Sequence, residues 1–598
     1  MLSNNMAKTG LAGPWTSFHR LPFPIKFAPM RQIDLGDALK KLPENARSLI
    51  QTTFFGLIAG LSAVAFLFLT NWMFSRTFIE FAGRSKPAFA IASLAVVMVS
   101  SVIVSALLYW VSPETAGSGI PQVKTAYWKE MGYMSPQSGL VKFAAGVLSI
   151  GGGNSLGREG PSVYVGSAVA SNAAGLFGLG RRERRGAAVV GAAAALAAAF
   201  NTPLAAITFV IEEIIGDFNS RYLGRVILSS VVGAFVVHAL IGRQPAFSLP
   251  PVERVTWAHY IVVPFAASLA ALAGVMFQRM TISWRGRLSQ SHLPRWLLPI
   301  MGAFLTWIIG SSVFLASGKI GIFGLGYQDL SAALANDFPW KVAGVMVLFK
   351  LIATVAGYSF GGSGGIFAPS LFIGGMSGFF VAGLAGQWLP LSPADHVVLA
   401  AVGMSACLGA IVRAPLTSLL IVFEMTHQFE LIPGLMIGLV ISQSLARTAG
   451  KLNFYDALLV QDGHELHKIR PPLDLHSWQN LPVSAVANPK PVAIRRLDAK
   501  LLKEAIDHHP YACFPVILDG KLKGVITRQE IARSLLSGAP PEIHPAETCF
   551  PDQPIREVGN KFIASPVSAL IVVGRESGEV VGIITLHDLI RAQASIQQ

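Results

Sequence analysis

The sequence predicts an all-α polytopic membrane protein of two inverted-repeat halves with broken helices, plus a small cytoplasmic α/β domain. Three observations lead there. Of 598 residues, 52% are hydrophobic and 13% charged. Ordinary soluble domains carry about 25% charged residues, so most of this chain is dissolved in something other than water. From about Ser48 to about Leu445 long apolar stretches follow one another, Thr53 to Trp72 and Ile91 to Val111 among them. Each is long enough for the roughly 20 residues that span a hydrocarbon core. After Tyr455 the composition turns abruptly to alternating strand-like and helix-like runs.

Taken in chain order, residues 1–47 form a basic lead with Lys8, Arg20, Lys26, Arg31, Lys40, Lys41 and Arg47, and a short interfacial helix is expected near Asp34 to Lys41. The opening Met1-Leu2-Ser3-Asn4-Asn5 lacks the apolar core of a cleaved signal peptide. The membrane body is expected over 48–460, with halves at about 48–245 and 255–455. Its apolar stretches are broken by Gly and Pro, which membrane depth tolerates only where protein or a watery cavity takes up the freed backbone groups. Arg181-Arg182-Glu183-Arg184-Arg185 reads as a short basic loop. With the lead, it belongs on the cytoplasmic side by the positive-inside rule, so both termini are expected there. Arg76, Arg84 and Lys86, read as another loop, run against that rule. The same bias accounts for a net charge of +14 without a nucleic-acid partner, since the basic residues form no binding motif. Cys407, Cys513 and Cys549 have neither disulfide-framework nor metal-ligand spacing. No nucleophile–base pair or metal cluster points to an enzyme, and no metal or resident cofactor is expected in the body.

Two repeats organise the chain. Pro161-Ser162-Val163-Tyr164-Val165-Gly166 echoes Pro369-Ser370-Leu371-Phe372-Ile373-Gly374, 208 residues on (369 − 161). Pro203-Leu204 with Val210 and Glu212 echoes Pro415-Leu416 with Val422 and Glu424, 212 residues on (415 − 203). Transporters built from such halves bind substrate at the midplane, often at broken helices. After a linker at 461–479, two α/β units are expected at 480–536 and 543–598. Gly524-Val525-Ile526-Thr527-Arg528-Gln529-Glu530 returns there as Gly582-Ile583-Ile584-Thr585-Leu586-His587-Asp588. A buried strand precedes each copy, Phe514 to Leu518 and Ala569 to Val573.

An anion inside a membrane needs partial charges rather than a lysine that would hold it too tightly. Backbone N–H groups at helix starts, with a hydroxyl or two, bind it and still release it. Three glycine-rich helix starts qualify: Gly117-Ser118-Gly119-Ile120-Pro121, Gly157-Arg158-Glu159-Gly160-Pro161 and Gly365-Ile366-Phe367-Ala368-Pro369. In each, proline sits in the first helical turn. Any one of them alone would read as a kink or a packing point.

With these three motifs the sequence resembles the ClC family of chloride channels and chloride/proton exchangers. The resemblance covers the whole membrane body and implies a homodimer with one anion pathway per subunit. It implies that the Ser118 hydroxyl, the Ile366 and Phe367 amides and the Tyr455 hydroxyl hold chloride. Tyr455 could otherwise be an interfacial aromatic anchor. Serine in the first motif matches the chloride-preferring members. Glu159 is an intramembrane carboxylate and so a functional hypothesis by default. At the positive end of its helix it can take the anion's place and leave when protonated, the family's gate and proton carrier. A structural partnership with Arg158 is the bland alternative. In the pair Glu212-Glu213, Glu212 has a twin in Glu424 and so reads as a helix-end partner. Glu213 is matched by Met425 and reads as the residue that one half alone uses. In the family's exchangers that second glutamate takes protons from the cytoplasm.

The C-terminal repeat resembles a pair of CBS domains, which implies a possible adenine nucleotide held through Thr585 and Asp588. The first copy departs in having Glu530, and the pair could equally serve only to pack and dimerise. The favoured reading is chloride/proton exchange across the cell membrane, the inner membrane in a Gram-negative cell. A passive, voltage-gated type of chloride channel is the alternative. A CBS-regulated cation transporter is the more distant one, since cations need converging carboxylates or carbonyls.

Overall fold

The computed structural model describes residues 43–218, 222–242, 247, 255–464, 481–489 and 491–589. The helix expected at Asp34 to Lys41, the basic lead before Pro43 and most of the linker lie outside them. Among the described residues nine helices are long and apolar enough to cross a membrane. The chain divides into two compact units, one up to Arg470 and one from Pro471.

Apart from the three-residue helix Glu80–Ala82, the described residues of the first unit form two runs of eight helices and a closing ninth of the second run. The first run is α1 (Glu44–Phe74), α2 (Lys86–Ala106), α3 (Ile120–Trp128), α4 (Pro136–Gly151), α5 (Glu159–Leu176), α6 (Arg181–Phe200), α7 (Pro203–Phe209) and α8 (Leu223–Leu240). The second is α9 (Ala258–Ser289), α10 (Leu298–Ser317), α11 (Tyr327–Leu334), α12 (Trp340–Ser359), α13 (Phe367–Ala385), α14 (Pro393–Val412), α15 (Pro415–Thr426) and α16 (Ile432–Ala449), and then α17 (Phe454–Gln461). The short members are the third and the seventh in both runs. The repeat therefore extends well beyond the two segments legible in the sequence.

Small residues allow the closest helix contacts. A side chain at Gly166 would strike the carbonyl of Gly191, and one at Gly374 would strike that of Gly403 at 2.2 Å, so α5 on α6 and α13 on α14 pack backbone to backbone in both halves. The halves join through their unwound loops. Gly157 N–H donates to Gly365 O at 2.7 Å and Gly365 N–H donates back to Gly157 O at 2.5 Å. These two residues are repeat twins, so their reciprocal pairing marks the pseudo-twofold relation. Glu424 accepts the amides of Leu204 and Ala205 at the start of α7 (2.9 and 2.7 Å). Glu212 accepts those of Leu416 and Thr417 at the start of α15 (3.1 and 2.9 Å). Each carboxylate covers orphan N–H groups of the other half's helix, the helix-end role expected of the twins.

The structure corrects two local readings. The basic run 181–185 is not a loop but the first turn of α6. Glu183 caps it by accepting Gly180 N–H at 3.0 Å. The arginine stems are held by stacking, Arg184 on Tyr133 and Arg185 on Tyr127. Of the other basic cluster, Arg76 lies in a π-helical turn continuing α1 and Lys86 opens α2, leaving Arg84 in the connection.

In the second unit, α18 (Ala499–His508), β1 (Cys513–Leu518), β2 (Lys521–Thr527) and α19 (Arg528–Ser537) make the first copy; β3 (Thr548–Cys549), α20 (Ile555–Ala564), β4 (Ala569–Val573) and β5 (Val580–Thr585) make the second. Both hairpins are antiparallel, with a bulge at Val516/Ile517 and at its counterpart Val572/Val573. Strand β3 adds to β4 in parallel. Residues 481–489, expected with the first copy, pack on the second: Val483 joins the core of Ile555, Val558 and Leu570, and Asn488 bridges Ile583.

Candidate anion site

Three broken helices converge where the loops of the two halves pair. Gly117 lies in a parallel bridge to Ser363, and Gly364 N–H donates to Gly117 O at 3.0 Å. That contact sets the start of α3 beside the start of α13. Gly119 caps α3 at φ +95°, a conformation that only glycine adopts freely, and Pro121 follows inside the first turn. Ser118 is 1% exposed. Its amide donates to the Tyr358 hydroxyl at 3.3 Å, while its own hydroxyl makes no hydrogen bond. Tyr455, on the first turn of α17, is fully buried and its hydroxyl is likewise unpaired. Two buried hydroxyls without a partner are each costly, and these two belong to residues that sit side by side. Ile366 precedes α13 and Phe367 opens it; both are buried, with the Phe367 ring against Phe200 and Phe209.

Glu159 opens α5 and is completely buried. One carboxylate oxygen accepts a long bond from the Tyr327 hydroxyl (3.4 Å); the other makes none, although the Ala368 amide lies close. The carboxylate thus stands between the starts of α5 and α13, both positive helix ends. Of the motif residues, Ser118, Glu159, Ile366, Phe367 and Tyr455 are all buried in the region where these helix starts converge. Arg158 points elsewhere, to Asn71 (3.1 Å).

Glu213 is buried apart from this group, in a π-helical turn after α7, and it is not alone. Lys124, also fully buried, donates to Glu213 Oε1 at 2.5 Å and to Asp456 Oδ1 at 2.7 Å. Asn453 donates to the other Glu213 oxygen (3.0 Å) while capping α17. Glu213 is therefore tied to α3, which follows Ser118, and to α17, which carries Tyr455. Sequence reading missed Lys124 and Asp456. The available signal was a lysine six residues after Ser118 in an apolar helix, where charge is expensive. It also missed Lys142, whose ammonium holds the carbonyls of Thr115 (2.9 Å) and Gly117 (2.5 Å) behind the first motif.

In the second unit Thr585 and Asp588 form a capping box: Asp588 Oδ2 accepts the Thr585 amide and hydroxyl at 2.9 and 2.7 Å. Glu530 does the same for Thr527 at 2.8 and 2.7 Å. The repeated acid thus has a structural role in both copies, and the Asp-to-Glu departure leaves that role intact.

A family model described as voltage gated chloride channel matches residues 97–447, and one for CBS domains matches 498–537 and 542–595. Among curated relatives, the voltage-gated ClC-type chloride channel ClcB of Salmonella typhimurium is 28% identical over 414 residues, 67% of this chain and 96% of that one. The H(+)/Cl(-) exchange transporter ClcA of Vibrio campbellii is 29% identical over 436 residues, 70% of this chain and 90% of that one. Among solved structures, a slow cyanobacterial Cl-/H+ antiporter aligns with TM-score 0.59 at 25% identity, covering 69% of this chain and 97% of that one. A eukaryotic CLC transporter aligns with TM-score 0.58 at 19% identity, covering 91% and 98%, a likeness of fold.

Proposed function

The chain belongs to the voltage gated chloride channel family, and we propose that it exchanges chloride for protons, with Glu159 as gate and proton carrier and Glu213 as internal proton acceptor. It is a membrane protein that transports chloride. The observation that carries the finer reading is the pair of buried, unpaired hydroxyls of Ser118 and Tyr455, on elements that meet the helix start at Ile366-Phe367. Donors without acceptors, at positive helix ends, suit a small anion and repel a cation. Glu159 lies at the next helix start, where an ionised carboxylate competes with chloride and a protonated one gives way. Glu213, wired through Lys124 to Asp456, supplies a second carboxylate in an apolar body. An acid that works in only one half fits a one-sided task.

On this reading each subunit of a homodimer carries its own pathway, because every group named belongs to one chain. Both termini face the cytoplasm, the side of the basic lead, and the CBS pair takes an adenine nucleotide near Thr585 and Asp588. The test is flux in liposomes. An imposed chloride gradient should drive protons uphill through the wild type. Glu159→Gln should keep chloride flux and lose proton pumping, and Glu213→Gln should lose pumping while retaining some chloride movement. Chloride flux without any proton movement in the wild type makes the protein a passive channel instead.

A further inference from the structure

In the second unit the internal repeat supplies its own control. Val525 and Ile583 are twins, 58 residues apart (583 − 525), as are Glu530 and Asp588 (588 − 530). Val525 and His544 exchange N–H···O bonds, both at 2.9 Å; Ile583 and Asn488 exchange theirs at 3.0 and 2.8 Å. His544 therefore holds the edge position that Asn488 holds in the other copy. Two residues earlier stands Glu542 in one copy and, in the other, Val486, which packs against the core. The fold builds the same bridge with a valine and a neutral amide, so it requires neither the Glu542 carboxylate nor the His544 imidazole.

The acid at the helix start departs in the same sense. Asp588 commits Oδ2 to the amide and hydroxyl of Thr585, and Glu530 commits Oε2 to those of Thr527. The extra methylene of Glu530 carries its other oxygen, Oε1, out to His544 Nε2. Glu542 completes the group: one oxygen of each glutamate and one imidazole nitrogen lie within 4.8 Å of one another. It is the one such group of three among the described residues.

We propose that Glu530, Glu542 and His544 form a binding site for a divalent metal ion of zinc's class, in the first copy alone. One imidazole nitrogen and two carboxylate oxygens suit zinc and leave a fourth position for water, whereas magnesium and calcium prefer oxygen alone. The two carboxylates balance the charge of the ion. In a tetrahedral site with bonds of about 2.1 Å the ligand atoms stand about 3.4 Å apart. Small side-chain rotations, with Glu542 exposed, bring the three to that spacing. Thr527 holds the Glu530 carboxylate from behind, the kind of outer partner that orients a metal-bound oxygen. A bound ion ties the edge segment at 542–544 to the start of α19. The site is independent of the transport reading and of the nucleotide reading at Thr585 and Asp588.

Zinc titration of the full chain in detergent, untagged and first stripped with a chelator, tests it. One zinc ion per chain should bind at micromolar concentration. X-ray absorption should then show a nitrogen and oxygen shell with imidazole scattering and without sulfur. Glu542→Gln removes a ligand at an exposed position and should weaken the binding at least tenfold. Glu530→Asp installs the residue of the second copy; it keeps the cap on α19, withdraws the ligand oxygen and should weaken binding as much. No zinc uptake at micromolar concentration, sulfur in the shell, or uptake unchanged in both variants and so an adventitious ion only, overturns the proposal.

Discussion

Lys124 is a fully buried cation held between Glu213 and Asp456, and its effects should be separable from those of the glutamate it binds. Taking away one member of a buried pair costs about 3–5 kcal/mol, because a charge stays behind in low dielectric. Lys124→Met should therefore lower the unfolding temperature in detergent, and adding Glu213→Gln should restore much of it. Equal unfolding temperatures for the single and double variants would mean that the pair is not coupled. The anion site makes a second prediction at this scale. A hydrogen bond to a charged group is worth about 1.5–3 kcal/mol, and 1.4 kcal/mol is tenfold in affinity. Ser118→Ala with Tyr455→Ala should then weaken chloride binding by about tenfold or more in isothermal titration, and loosen proton coupling. Unchanged affinity would show that other residues hold the ion.

Among the elements, the glutamate twins separate structure from chemistry. Glu212 and Glu424 each cap a helix of the opposite half, whereas Glu213 accepts the buried Lys124 ammonium and the Asn453 amide. Glu212→Ala and Glu424→Ala should each cost about 2–3 kcal/mol by uncapping charge-assisted bonds. Folded yield should fall while the proton-to-chloride ratio of the surviving protein stays that of the wild type. A changed ratio with normal yield would move Glu212 into the transport machinery. The capping boxes of the C-terminal unit have a similar logic. Their Thr–acid pairs were legible as a repeated motif, but that the acid serves its own helix start required coordinates.

At the scale of whole units, the segment from about Leu481 has its own hydrophobic cores and should fold alone. Equilibrium dialysis with ATP, ADP and AMP should detect binding that Asp588→Ala abolishes; no binding at millimolar nucleotide would leave the unit a structural one. In the absence of metal, one pair contributes to its pH dependence on both sides. Burial acts to raise the Glu530 pKa, but the hydrogen bonds with His544 and Thr527 together outweigh it and draw it below its ordinary value, and the bond to Glu530 raises that of His544. Glu530 therefore stabilises the unit above about pH 4.3, and this is lost as pH falls through its lowered folded pKa. The His544 contribution is complete below about pH 6.5 and is lost as pH rises through its raised folded pKa. Melting temperature should peak between those limits, and His544→Ala should flatten the decline on the alkaline side. An unchanged alkaline slope would show that the pair does not control it.

Composition alone determined that the body lies in lipid, because hydrophobic length and the scarcity of charge are local properties of a chain. The three glycine–proline helix starts, the α/β repeat and Glu159 were legible for the same reason: each is a short run whose chemistry is complete within a few residues. What only the tertiary structure decided is which of these starts meet. Gly157 finds Gly365 across the pseudo-twofold relation, and Lys124 finds Asp456 from 332 residues away. Gly324-Leu325-Gly326 matches Gly117-Ser118-Gly119 in its left-handed glycines and in a buried lysine that holds its first carbonyl, Lys350 against Lys142, rather than in residue types. A lysine's worth in an apolar helix depends on whether carbonyls or carboxylates surround it, and that is fixed by packing between distant segments rather than by its neighbours in sequence.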